Sequence, residues 1–281
     1  TAARWQRHNP GGIFLGRILF LLVLVACFEA SAAEQARPLY FGVLNQQSPA
    51  RTAERWNPIL AYLAEATGLR FQLRMGATVR ETDAMMGRGE FDFLFSNHNF
   101  RREFDGQYRV LARWAGSPVY GVIAVREGSA ATSLANLEGR RVAFPSREAF
   151  VAYAVPMEAL RSARVRVDVV TAGSQEGALT QLQAKQVDAA AVNSRFLTRF
   201  AAQTGLRYRE IYVSEAYAEM PVVVHPRVPR EHADMVRRAL LAMADDPRAA
   251  AAREAAGSKG FHPADERDYD NVRRVYARSR E

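Results

Sequence analysis

Residues 39–75 read LYFGVLNQQSPARTAERWNPILAYLAEATGLRFQLRM, and the fold class is decided here. Leu39 to Leu44 is an apolar run closed by Asn45-Gln46-Gln47, with the length and flanks of a buried strand. Ser48 then offers a helix N-cap, and Pro49 takes the first helical position, where a missing N–H costs nothing. Trp56, Ile59, Leu60 and Leu63 recur at helical spacing until Gly68, which can end the helix in a left-handed turn. Arg70 to Met75 alternates Phe71, Leu73 and Met75 with polar residues, as a half-buried strand does. A strand, a helix and a strand in this order predict a βαβ unit with parallel strands.

The alternation continues outward. Thr78 opens a helix through Met85 and Met86, and Phe91 to Phe95 is an apolar strand running into Ser96-Asn97-His98-Asn99. Strands are expected over Tyr108 to Trp114 and Val119 to Val125. A second series follows, with strands over 141–144, 165–170, 187–192, 208–213 and 220–225, and helices over 148–162, 176–184 and 194–204. The tail from Pro229 reads as helical, with Val236, Leu240 and Met243 on one face. The default is a parallel α/β sheet with helices on its faces, with chain crossings at about 119–126 and 219–226.

The N-terminus reads as a targeting segment. Arg4, Arg7 and Arg17 precede an unbroken apolar run from Ile18 to Phe28, followed by Ala30-Ser31-Ala32. That is the layout of a secretory signal peptide over residues 1–32, too short to span a bilayer, which takes about 20 apolar residues. Leu24-Val25-Ala26-Cys27 also resembles a lipobox, so cleavage after Ala32 and acylation of Cys27 both stand as readings. Cys27 is the single cysteine, and cleavage after Ala32 leaves a thiol-free chain suited to an oxidising compartment.

The formal net charge is +8, but all but two of the 38 basic residues are arginines, scattered near acidic residues with no run of five like charges. Loss of residues 1–32 lowers the charge by two. The balance therefore points away from nucleic acid and allows a mild attraction for small anions.

Across the chain, the order of several short motifs resembles the phosphate/phosphite/phosphonate substrate-binding proteins of ABC importers. These are Phe41-Gly42-Val43 with Gln46-Gln47-Ser48-Pro49, and Gly89-Glu90-Phe91-Asp92-Phe93. Leu137-Glu138-Gly139-Arg140-Arg141-Val142-Ala143-Phe144-Pro145, Gly173-Ser174 and Gly260-Phe261-His262-Pro263-Ala264-Asp265 complete the series. The resemblance spans residues 38 to about 276. It implies two α/β lobes of the type II periplasmic binding protein fold, joined by two crossover strands, with a ligand cleft between them. The expected lobes are 38–122 with 222–281, and 123–221.

In open parallel sheets, ligands bind beyond the carboxyl ends of the strands. Those ends carry Gln46, Gln47 and Ser48; Ser96 and Asn97; Ser146 and Arg147; Ser174 and Gln175; and Asn193. Four of the five loops are expected to lead directly into helices, whose unpaired N–H groups favour a small oxyanion, although serine and asparagine there are also ordinary caps. The resemblance adds Tyr120, placed at the cleft. Arg147 stands where phosphonate binders carry small hydroxyl residues, and Gln175 where many carry histidine. His98 reads as a loop residue, and Asp265, Asp268 and Asp270 as a solvated helical face.

No H-E-x-x-H, Walker A loop or G-x-S-x-G elbow occurs, and the five histidines lack metal-ligand spacing. The reading is a monomeric, exported, non-enzymatic and cofactor-free receptor of the periplasm. It delivers a small oxyanion to an ABC permease, with no nucleic-acid partner. A sensor partnering a membrane kinase, or an enzyme on the same bilobal fold, are the alternatives.

Overall fold

The computed structural model describes residues 37–45 and 48–279. The expected signal segment with Cys27, and both Gln46 and Gln47, lie outside them. No helix among the described residues is long and apolar enough to cross a membrane.

The opening βαβ unit forms as its pattern dictates. β1 (Leu39–Val43) pairs in parallel with β2 (Phe71–Arg74) and β3 (Phe93–Phe95). Between them α1 (Pro49–Thr67) starts at Ser48, whose Oγ accepts the Arg51 N–H, and ends at Gly68 with φ +71°. Its apolar face buries Trp56 at centroid distances of 5.2 Å from Phe41 and 4.8 Å from Phe95. Burying an aromatic side chain of this kind contributes about 2–3 kcal/mol.

The complete sheet is six-stranded, in the order β11-β4-β10-β3-β1-β2. It is mixed, which corrects the expectation of a parallel sheet: β10 (Pro221–Val224) lies antiparallel between β3 and β4 (Arg109–Trp114). The tail is not wholly helical either. α6 (Arg230–Ala242), α7 (Ala250–Ala256) and α8 (Asp270–Arg278) are interrupted by β11 (Phe261–Pro263), an edge strand antiparallel to β4. Phe261 buries its ring 5.2 Å from Trp114, so tertiary packing outweighs the helical character of its flanks.

A second sheet of five strands has the order β7-β6-β8-β5-β9. β6 (Arg141–Phe144) is parallel to β7 (Asp168–Thr171) and β8 (Ala189–Asn193), whereas β5 (Gly121–Arg126) is antiparallel to β8 and β9 (Tyr208–Val213). α2 (Val79–Gly87) belongs to the first series; α3 (Val155–Ser162), α4 (Gln175–Gln183) and α5 (Ser194–Thr204) belong to the second. The helix expected over 148–162 begins only at Phe150, with one π-helical turn ahead of α3.

The chain leaves the first sheet after Trp114, enters the second at Gly121, and returns between Val213 and Pro221. The two passages bond to each other: Val119 and Tyr217 exchange N–H···O bonds of 2.9 Å, and the Gly121 N–H donates to Ser214 Oγ at 2.9 Å.

Candidate functional site

Strand polarity determines where a site can form. β1, β2, β3 and β4 all point their carboxyl ends toward one edge of the first sheet, where β10 begins. β6, β7, β8 and β9 do the same at the edge of the second, where β5 begins. The passages run from β4 to β5 and from β9 to β10, so both polar rims abut the double crossing.

On the first rim, Ser48 is exposed and caps α1. Ser96 is buried, with its Oγ accepting the His98 N–H at 3.0 Å. Asn97 is half-buried and makes no side-chain hydrogen bond among the described residues. Tyr120 is half-buried at the crossing, and its carbonyl accepts the Ser194 N–H at 3.0 Å.

On the second rim, Ser174 Oγ accepts the Gly177 N–H at 2.9 Å at the start of α4. Asn193 Oδ1 accepts the Arg195 N–H at 2.9 Å at the start of α5, and Gln175 Oε1 accepts the Asn193 N–H at 2.7 Å. These caps consume oxygen lone pairs only. Among the described residues neither the Ser48 nor the Ser174 hydroxyl donates a hydrogen bond, so each has a proton to offer an anion.

Ser146 behaves differently from the expected helix cap. Residues 145–149 form a turn ahead of the π-helical segment, so this loop does not lead directly into a helix. Ser146 is half-buried, and its hydroxyl and the N–H groups of Arg147 and Glu148 have no hydrogen-bond partner among the described residues. Arg147 is exposed, with Nη1 at 3.4 Å from the Tyr153 hydroxyl.

Two further elements escaped the sequence reading. Asp83 on α2 is buried and accepts from His98 Nδ1 at 2.9 Å and from Arg101 Nη1 at 2.9 Å. Arg101 Nη2 in turn donates to the Glu148 carbonyl at 3.2 Å, joining the loop after β3 to the loop after β6. Nothing in the spacing of residues 83, 98 and 101 announces the cluster; the one hint is an acid beside the buried pair Met85-Met86. The second element is an ion pair between Arg195, in the first turn of α5, and Glu219, just before β10. Each element links the two rims.

His98 lies on the loop after β3, as expected, at the start of a single 3-10 turn, and is buried there. Burial pushes its imidazole below the usual 6.5, opposed by the Asp83 hydrogen bond. On acidification the unfolded chain therefore takes up this proton first. The stability contributed by neutral His98 is present at neutral pH and is lost as pH falls through 6.5. The acid limb of the unfolding midpoint is expected to be shallower in His98→Gln; identical slopes would remove His98 from that limb.

A family model described as the ABC transporter, phosphonate, periplasmic substrate-binding protein matches residues 41–269. Among solved structures, XAC2383 from Xanthomonas citri bound to chloride is similar at TM-score 0.76 and 19% identity, over 86% of this chain and 98% of that one. PhnD1 from Prochlorococcus marinus in complex with methylphosphonate is similar at TM-score 0.68 and 13% identity, over 84% and 96%. A binding protein component of an ABC phosphonate transporter from Pseudomonas aeruginosa gives TM-score 0.68 at 16% identity, over 86% and 88%. No curated protein gives a significant sequence match. At these identities the structures establish the type II periplasmic binding protein fold, and the family match establishes the role. The chain belongs to the phosphonate-binding family of periplasmic ABC-transporter substrate-binding proteins.

Proposed function

We propose that the chain is an exported receptor that closes two lobes, 38–122 with 222–281 and 123–221, on a small phosphorus oxyanion. Phosphate, phosphite and alkylphosphonates form the ligand class, and an ABC permease receives the cargo; the receptor itself performs no chemistry. The observation that carries this reading is the Ser146 turn at the rim, whose hydroxyl and adjacent N–H groups have no partner among the described residues. An oxyanion is the complement of such a donor set. Ser174 supports it from α4 and Tyr120 from the crossing, while PhnD1, of the same fold, is seen with methylphosphonate. Residues 1–32 would direct export; mass spectrometry of the mature N-terminus distinguishes cleavage after Ala32 from a lipid on Cys27.

Calorimetric titration with methylphosphonate, phosphite, phosphate and sulfate tests the ligand class. Ser146→Ala and Ser174→Ala are each expected to weaken the preferred ligand about tenfold or more, the worth of a hydrogen bond to a charged group. Their unfolding midpoints should stay close to that of the parent. Unchanged affinity in both variants places the site elsewhere.

A further inference from the structure

The ion pair between Arg195 Nη2 and Glu219 Oε1 has its two ends anchored in different sheets. The Glu219 carbonyl accepts the Tyr269 hydroxyl at 2.7 Å. Tyr269 is fully buried and stacks on Phe100, just after β3, at a centroid distance of 4.5 Å. Arg195 belongs to α5, and its N–H is capped at 2.9 Å by Asn193, the last residue of β8. Glu219 therefore follows the first sheet and Arg195 the second. The outbound passage runs beneath the pair, and Gly116 fits there only because it lacks a side chain. A Cβ on it would lie 2.7 Å from Glu219 Oε1 and 3.4 Å from Arg195 Nη1. Glu219 is 9% exposed, whereas the Arg195 side chain is 49% exposed. A carboxylate so nearly buried must either keep its cation or regain water.

We propose that this pair is a clasp, made when the two rims approach and broken when they part, so that Arg195 and Glu219 set cargo affinity without touching cargo. The proposal rests on the two-lobe closure described above. Cargo binds the closed arrangement, so its apparent dissociation constant is the intrinsic one divided by the fraction closed beforehand. While the closed form is the minor one, a clasp that raises it tenfold tightens every cargo tenfold alike. It discriminates nothing, and this separates it from a residue that contacts cargo.

The test compares the full chain with Arg195→Met and Gly116→Ala by small-angle scattering without ligand and by calorimetric titration with methylphosphonate and with phosphate. Arg195→Met removes one charge at a half-exposed position, and Gly116→Ala keeps both charges but pushes them apart. Both variants are expected to show a larger ligand-free radius of gyration than the parent. Both should bind the two anions about tenfold more weakly, with the ratio between the anions unchanged. Adding Glu219→Gln to Arg195→Met should weaken binding no further, because the two residues act as one unit. If the parent binds neither anion, the ligand class fails, and scattering still decides the clasp. A ligand-free radius unchanged in both variants overturns it. So does an enlarged radius with parental affinity, and so does an altered ratio of the two affinities, which would make Arg195 a cargo contact.

Discussion

Asp83→Ala is expected to lower the stability of the protein by about 3 kcal/mol, the lower end of the range for breaking a buried charge pair. Asp83 is 7% exposed and serves two donors, His98 Nδ1 and Arg101 Nη1, each at 2.9 Å. Alanine leaves the Arg101 guanidinium and the buried His98 imidazole without the acceptor they share. The cost sits at the lower end because the Arg101 side chain keeps 20% exposure and can regain water. Asp83→Asn retains an acceptor and should lose about half as much. Urea titration of both variants measures the difference. Losses that are equal in both, or below 1 kcal/mol in the alanine variant, would show that the cluster is not held by the charge. The same alanine variant also frees Arg101 from its position on the Glu148 carbonyl, so cargo affinity is expected to fall although Asp83 touches no cargo.

Gly121→Ala is the second large effect. A Cβ on Gly121 would lie 2.2 Å from the Val151 carbonyl oxygen, a backbone atom, and 3.2 Å from the carbonyl carbon. Neither can yield as the tip of a flexible side chain would. Gly121 is held in place by its N–H bond to the Ser214 hydroxyl, by the Ser214 N–H bond to its carbonyl and by pairing with Asn193 on β8. The expected cost is about 3 kcal/mol, the upper end for overpacking. Gly128→Ala is the matched control, because nothing lies within 4 Å of the position its Cβ would take. Comparable midpoints for the two variants would refute the packing account.

Periodicity made most strands and helices legible because each has one face to bury. The Trp56 stripe and the alternation at Phe71 and Leu73 are local signals, and the structure uses them locally. What stayed hidden depends on partners distant in sequence. β10 reads the same whether it runs parallel or antiparallel to β3, since a strand buried on both faces shows no direction. β11 is three residues long and exists only because β4 offers an unpaired edge. At the site, polar loops at strand ends could be located, and their capping bonds follow from residue type. The links that join the rims could not: Arg101 with Glu148 and Arg195 with Glu219 pair residues brought together only by the fold.

The double crossing has a mechanical consequence. Two chains hydrogen-bonded at Val119 and Tyr217 behave as a ribbon, which bends about the axis in its plane far more easily than it shears or stretches. In the closure proposed above, the ribbon would favour bending of one sheet against the other over shear or stretch. On that reading every cargo would be met along one trajectory, and discrimination among cargoes would fall to the side chains of the two rims.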